Sequence, residues 1–153
     1  MRTLSIIFLA EYLHWVIVAT VLVFGFLSTP AQRKRLVTLT VLAAPIALII
    51  DRVLNKIIIS PRPFVEGGFV PLVQHSADNG FPSEHTLLVL FIACTVWVFN
   101  RKLGIILLFA GLLVGVGRIL AGIHSPLDIL GSAMIALVAV SGSVWILKRK
   151  HLL

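Results

Sequence analysis

The sequence predicts an all-α, polytopic membrane bundle of about five transmembrane helices, and two observations support this fold class. Of the 153 residues, 59% are hydrophobic and only 12% are charged, about half the charged fraction of a soluble domain; the mean hydropathy is +1.07. Apolar runs of about 20 residues recur, and a helix of that length crosses a hydrocarbon core about 30 Å thick. No linker-like segment divides the chain, so we expect residues 1–153 to form a single membrane domain.

Five apolar runs are expected to form the spans. They cover residues 4–27, 36–59, 82–99, 103–121 and 127–147. The first run follows Arg2 and so shares a feature with secretory signal peptides, but its length and the Glu11 within it favour a span that is retained. The only cysteine, Cys94, lies in the third run, where we expect it to act as a small apolar side chain.

The basic residues indicate how the spans are oriented. Eight of the thirteen lie in connections that share one face if the spans alternate: Arg33, Lys34, Arg35, Arg101, Lys102, Lys148, Arg149 and Lys150. Lysine and arginine collect in cytoplasmic loops, so we expect this face to be cytoplasmic, with the amino terminus outside and the carboxyl terminus inside. This distribution explains the net charge of +7 without a nucleic acid as partner.

Three polar segments lie at the outer ends of the spans, at residues 55–64, 75–86 and 117–128. Topology alone brings them to the same membrane depth, where ionisable side chains are costly and are functional candidates by default. The candidates are Lys56, Arg62, His75, Ser83, His85, Arg118, His124 and Asp128.

These residue types favour a phosphate site. Arg62 and Arg118 offer forked donors that match a tetrahedral anion. Pro82 and Ser83 open the third span, and the free N–H groups at a helix amino terminus attract phosphate. The side chain of Ser83 adds a hydroxyl group.

His124 and Asp128 are four residues apart and suit nucleophilic catalysis. Ser125 and Pro126 resemble an N-cap followed by proline at the first helical position, which places Asp128 in the first turn, within reach of His124. A carboxylate on one ring nitrogen fixes the tautomer and leaves the other nitrogen as a nucleophile. His85 is a second imidazole, suited to protonating a leaving oxygen.

Other interpretations of the same residues remain open. Histidine and aspartate at this spacing can be a simple stabilising pair, and three histidines with Asp128 can bind zinc. Arg62, between two prolines, can also reach lipid phosphates at the interface. Two arginines beside the histidines would repel a metal cation, so we predict neither a metal nor another cofactor.

Together, the three segments resemble the motifs of the type 2 phosphatidic acid phosphatase family: K-x6-R-P, then P-S-G-H, then S-R-x5-H-x3-D. Here the third motif reads G-R-x5-H-x3-D, the second reads P-S-E-H, and the first keeps Arg62 and Pro63. The resemblance implies a helical membrane phosphatase that works through a phosphohistidine. It implies catalytic roles for His124, Asp128 and His85, and substrate binding by Arg62, Arg118, Ser83, Lys56 and, more weakly, His75.

The motifs also depart from the family pattern. Asn55 occupies the position of the motif lysine, so the cation would be supplied by Lys56, one position later, or by Arg52, one turn earlier. Gly117 replaces the motif serine and Glu84 replaces the motif glycine. These departures resemble a branch of the family, the undecaprenyl pyrophosphate phosphatases of the bacitracin-resistance type.

The branch implies removal of one phosphate from an isoprenoid lipid pyrophosphate at the outer face of the bacterial cytoplasmic membrane. The expected partners are therefore this lipid substrate and the surrounding membrane lipids, and no oligomeric state is predicted. One alternative is a phosphatase for phosphatidylglycerophosphate, phosphatidate or lipid A, because the motifs bind phosphate rather than lipid tails. The other is a lipid-phosphate binding or transport protein without catalysis.

Overall fold

The computed structural model describes residues 2–153, without the side chain of Arg2, and this part of the chain is almost entirely helical. The elements are α1 (Arg2–Ile7), a π-helical turn (Phe8–Tyr12), α2 (Leu13–Leu27), α3 (Pro30–Ile57), α4 (Pro63–Glu66), α5 (Glu84–Phe99), α6 (Arg101–Leu120) and α7 (Pro126–Arg149). Within residues 2–153 the only β-type pairing is an isolated bridge between Pro61 and Asn79. The predicted all-α fold class is confirmed.

Four helices in the described part of the chain are long and apolar enough to cross a membrane: Thr3–Leu27, which includes the π-helical turn, and α3, α6 and α7. The third predicted span corresponds to α5, a shorter apolar helix of 16 residues. At 1.5 Å per residue α5 is about 24 Å long, and it lies in the middle of the bundle, packed most extensively on α6 and α7. The chain is a multi-pass membrane protein.

Helix α3 begins earlier than the apolar pattern predicts, because its first turn is strongly capped. Thr29 and Gln32 form a capping box, and Pro30 occupies the first turn. The basic residues 33–35 therefore belong to the helix instead of a loop. Arg33 donates to the carbonyls of Gly25 (2.9 Å) and Phe26 (2.7 Å), so these carbonyl groups in the last turn of α2 have hydrogen-bond partners.

Small residues let α6 approach its neighbours closely. A Cβ atom on Gly111 would lie 2.9 Å from a methyl of Leu90 in α5, and one on Gly115 would lie 2.7 Å from a methyl of Ile129 in α7. Their four-residue spacing therefore serves packing inside the bundle.

The bundle has two chemically different ends. The segments 58–83 and 121–125, together with the π-helical turn, meet at one end. The basic residues 33–35, 101–102 and 148–150 lie at the opposite ends of the same helices. This antiparallel arrangement brings the three polar segments of the sequence together.

Candidate active site

The end of α3, the start of α5, the end of α6 and the two connecting segments line a polar pocket of about 200 Å³. Five of the predicted site residues line it: Arg62, His75, His85, Arg118 and His124. The fold thus brings residues from all three polar segments into one cavity. Within residues 2–153, no three side chains of His, Cys, Asp or Glu form a cluster that would hold a metal ion.

His124 lies in the segment just before α7 and is only 2% exposed. Its Nδ1 is 2.9 Å from the carbonyl oxygen of Gly80 and 3.3 Å from Oδ2 of Asp128. Both neighbours are acceptors, so Nδ1 carries the hydrogen and Nε2 keeps its lone pair. Nη1 of Arg62 is 3.3 Å from Nε2 and donates to it. A buried nitrogen lone pair therefore faces the polar pocket beside a guanidinium.

Asp128 is fully buried, and donors hold both of its oxygens. Its Oδ2 accepts from the backbone N–H of Ser125 at 2.7 Å, which completes the predicted N-cap of α7. Its Oδ1 accepts from the hydroxyl of Ser60 at 2.8 Å, a contact that the motif spacing does not reveal. The same carboxylate thus starts a helix and orients His124.

The environment lowers the pKa of His124 from its usual 6.5. Burial is the largest cause, and the positive charges of Arg118 and Arg62 act in the same direction; the hydrogen bond to Asp128 opposes them. Because its pKa lies below 6.5, His124 is neutral at pH 7, the state that a nucleophile needs. Burial and the same arginines also lower the pKa of His75.

Arg62 is 5% exposed and precedes α4. Its Nε and Nη2 both lie 2.8 Å from Oδ1 of Asp78, and its Nη1 donates to the carbonyl of Ile123 at 3.0 Å. Burial raises the pKa of Asp78, but hydrogen bonds from Arg62 and Ser76 outweigh it and lower the pKa overall. Asp78 also lines the pocket; it lies in the second polar segment, three residues after His75, but is not among the candidate site residues of the sequence.

Arg118 is 1% exposed and is held by the first helix. Its Nη1 donates to the carbonyl of Ala10 (3.3 Å) and to Oε1 of Glu11 (3.2 Å), both in the π-helical turn, and its Nη2 is 3.1 Å from Nε2 of His75. Within residues 2–153 its Nε has no hydrogen-bond partner. Glu11, the acidic residue of the first predicted span, is thus paired with Arg118.

Gly117 explains how the first helix comes so close to Arg118. A Cβ atom at this position would lie 2.7 Å from the Cβ of Leu9 and 2.8 Å from the backbone nitrogen of Ala10. A serine, as in the family motif, has no room here. The replacement of serine by glycine is thus a consequence of the contact between α6 and the π-helical turn.

The third arginine of the pocket is Arg52. Its Nη1 is 3.2 Å from Oε1 of Glu84, the first residue of α5. Asn55, at the position of the motif lysine, donates to the carbonyl of Phe81 at 2.6 Å and so ties α3 to the second motif. Lys56 is exposed and does not line the pocket.

Each arginine that lines the pocket is therefore paired with a carboxylate. The pairs are Arg62 with Asp78, Arg118 with Glu11, and Arg52 with Glu84. The carboxylates fix the guanidinium groups in place and offset their mutual repulsion.

The structure separates the roles of two residues in the second motif. His85 lines the pocket, and its ring lies edge-on to that of His14, with centroids 4.7 Å apart. Ser83 is fully buried, and its hydroxyl donates to the hydroxyl of Thr86 at 3.0 Å instead of lining the pocket. Because the side chain of Ser83 does not cap α5, it leaves the first N–H groups of that helix free for an anion.

Comparison with known proteins places the chain in a family. Residues 36–152 match the model of the family described as the PAP2 superfamily. The chain is 35% identical over 132 residues to "Undecaprenyl-diphosphatase BcrC" of Bacillus subtilis (strain 168), covering 86% of this chain and 68% of that relative. It is 30% identical over 139 residues to "Bacitracin transport permease protein BcrC" of Bacillus licheniformis, covering 90% and 68%. The chain belongs to the PAP2 superfamily.

Proposed function

We propose that this protein is a membrane lipid phosphatase that converts undecaprenyl pyrophosphate to undecaprenyl phosphate. The observation that carries the proposal is the fixed tautomer of His124, whose unprotonated Nε2 accepts from the guanidinium of Arg62 at 3.3 Å in the polar pocket. The name of the B. subtilis relative supports the substrate class.

In the proposed reaction, Nε2 of His124 attacks the terminal phosphorus. The nitrogen–phosphorus bond forms as the bond from phosphorus to the bridging oxygen breaks, and the electron pair leaves on the lipid phosphate. The lipid phosphate takes a proton from the imidazolium form of His85, the form that the negative charge of the bound pyrophosphate favours. Water then gives a proton back to His85 and attacks the phosphohistidine, which releases inorganic phosphate and neutral His124. Arg62 and Arg118 stabilise the charge on the transferring group, and no metal or other cofactor takes part.

A second candidate function is binding or transport of a lipid phosphate, because the B. licheniformis relative is named a transport permease. The arginines alone would serve that function. Binding or transport gives no reason for a neutral histidine whose tautomer is set by a carbonyl and a carboxylate. The geometry therefore favours the hydrolase.

We also propose that the pocket faces the outside of the bacterial cytoplasmic membrane and that the carboxyl terminus is cytoplasmic. The basic residues 33–35, 101–102 and 148–150 lie at the ends of helices away from the pocket, and such residues collect on the cytoplasmic side.

The test is phosphate release by the purified chain in detergent from a panel that contains undecaprenyl pyrophosphate, phosphatidylglycerophosphate, phosphatidate and lipid A. We expect the pyrophosphate to be the best substrate, and we expect His124→Ala to lower its turnover by about 10³-fold or more, because the nucleophile is lost. His151→Ala, at an exposed histidine near the end of the chain, is the matched control and should retain activity. Full activity of a folded His124→Ala variant would contradict the mechanism, and lipid translocation without phosphate release would favour the transport function.

A further inference from the structure

Arg52 has no part in the mechanism described above, and it lies where two cavities meet. It lines the polar pocket and also an apolar groove of about 460 Å³ between α3 and α5, which includes Leu48, Leu88 and Phe91 and which we call the α3–α5 groove. Glu84 lines both cavities as well. The Arg52–Glu84 ion pair therefore marks the boundary between the polar and the apolar space.

The α3–α5 groove continues along the bundle. A second apolar cavity of about 460 Å³, between α2, α3 and α5, shares Thr40, Phe91 and Ile92 with it. Because α3 packs chiefly against α7, part of its surface beside α5 stays open, and Leu48 is 55% exposed there. An extended apolar groove that adjoins a polar pocket fits an amphiphile, with its hydrocarbon chain in the groove and its charged group in the pocket.

Arg52 is held less firmly than the other two arginines of the pocket. Its side chain is 67% exposed, against 6% for Arg62 and 1% for Arg118. Besides its contact with Glu84, its Nε is 3.7 Å from Oδ2 of the buried Asp51. Exposed ion pairs contribute little to stability, so a phosphate can displace Glu84 while Asp51 keeps Arg52 beside the pocket.

The pocket has room for more than one phosphate group. Its volume of about 200 Å³ is far above the roughly 10–15 Å³ of such space that one water molecule needs. His124, Arg62 and Arg118 line the polar pocket but not the α3–α5 groove, whereas Arg52 lines both and so provides a cation on the side of the groove.

We propose that Arg52 binds the inner phosphate of a lipid pyrophosphate, the one that remains on the lipid, while the chain of the lipid occupies the α3–α5 groove. This inference rests on the proposed function. When the bond between the terminal phosphorus and the bridging oxygen breaks, the electron pair stays on the inner phosphate, and the guanidinium of Arg52 stabilises that charge. A lipid monophosphate has no such group, so Arg52 makes the site selective for pyrophosphates.

The experiment compares farnesyl pyrophosphate with farnesyl monophosphate as substrates of the purified chain in detergent. Arg52→Gln should lower kcat/KM for the pyrophosphate by about 10- to 100-fold, the range expected for a charge-assisted hydrogen bond, and should change the monophosphate by less than about twofold. Arg52→Lys should restore part of the loss. Arg35→Gln, at an exposed arginine near the other end of α3, is the matched control and should leave both values unchanged.

Two further variants separate this role from a structural one. Glu84→Gln removes the competing carboxylate and should lower KM for the pyrophosphate; the same loss as in Arg52→Gln would show that the ion pair is structural and would overturn the proposal. Equal losses for both substrates in Arg52→Gln, or a loss for the pyrophosphate in Lys56→Gln but none in Arg52→Gln, would also overturn it.

A binding measurement keeps this inference distinct from the proposed function. If the unaltered chain releases no phosphate from any lipid, the proposed function fails, and Arg52 is then tested by calorimetry with a non-hydrolysable farnesyl methylenebisphosphonate. Weaker binding of this ligand to Arg52→Gln, with unchanged binding of farnesyl phosphonate, would support the role of Arg52. Unchanged binding of both ligands would overturn it.

Discussion

At the scale of single residues, the site depends on how one imidazole is held. The sequence predicts that Asp128 orients His124, but the shorter contact from Nδ1 is to the carbonyl of Gly80, at 2.9 Å against 3.3 Å. A Cβ atom at Gly80 would lie 3.1 Å from Oδ2 of Asp128 and 3.0 Å from the carbonyl oxygen of Ser60. Because Gly80 has no side chain, its backbone carbonyl can lie close to His124 and orient the imidazole together with Asp128.

Because Gly80 and Asp128 both orient His124, we predict that Asp128→Asn lowers turnover only moderately. Where a carboxylate alone sets the tautomer, the same change costs about 10⁴-fold in turnover; here the carbonyl of Gly80 still selects the Nδ1–H form, so we expect a loss of about 10- to 100-fold.

Burial and two arginines lower the pKa of His124, and the bond to Asp128 is the contribution that raises it. Activity needs neutral His124 and falls as the pH drops through its pKa.

The acid limb of the pH profile should therefore lie below pH 6.5, the usual pKa of histidine, and it should move to lower pH in Asp128→Asn. The measurement is kcat between pH 4 and 8 with one substrate, so that the ionisation of the substrate is the same for both proteins. A shift to higher pH, or a loss near 10⁴-fold in a folded variant, would contradict the role given to Gly80.

At the scale of helices, the π-helical turn is the element that the sequence did not predict. A π-helical turn inserts one residue into a helix and is frequent at functional sites. Here it presents the carbonyl of Ala10 and the carboxylate of Glu11 to Arg118, which lies 108 and 107 positions later in the sequence. A hydrophobic pattern identifies a helix, but it carries no information on a contact between two distant helices.

Gly117→Ser tests this element, because it restores the residue that the family motif has. The new Cβ atom would lie 2.7–2.9 Å from atoms of Leu9 and Ala10, two of them in the backbone. We expect the free energy of unfolding to fall by about 1–3 kcal/mol, as for other overpacked sites, and activity to fall because Arg118 is displaced. Thermal unfolding in detergent measures the first effect and phosphate release the second.

A suitable comparison is Gly142→Ser, since a Cβ atom on Gly142 meets nothing within 4 Å. It should retain both stability and activity. A gain of stability in Gly117→Ser would show that the close approach of the two helices is not what requires glycine.

Motif spacing and hydrophobicity predict the apolar runs, the common end of the three polar segments and a phosphate pocket. They do not predict the carboxylate partners of the arginines, since those pairs join different helices and loops. Lys56 lies one position after that of the motif lysine, in the last turn of α3, where a cation stabilises the carboxyl end of a helix. Its role in substrate binding stays a prediction. For Ser83, sequence placed the residue at the start of α5 but could not show that its hydroxyl is bound to Thr86.

At the scale of the whole molecule, the bundle concentrates its buried charge at one end. Three arginines of the pocket supply the positive charge that many phosphatases obtain from metal ions. We therefore expect phosphate release to continue in excess EDTA and to be inhibited by vanadate, which can mimic pentacoordinate phosphorus. A strict requirement for added zinc or magnesium would contradict this expectation. The His124→Ala variant is the control and gives the background rate of phosphate release.

The pairing of these arginines has a consequence for how the protein meets anions in water. The three guanidinium groups that line the pocket are each paired with a carboxylate. Their charges are therefore largely balanced at long range, and the pocket exerts little attraction on distant free phosphate or nucleotides, although the guanidinium groups can still donate to a phosphate in contact with them. A lipid held in the membrane needs no such attraction, because its chain already confines its head group to the depth of the pocket. Released inorganic phosphate, with no chain to confine it, diffuses away and leaves the site open for the next lipid.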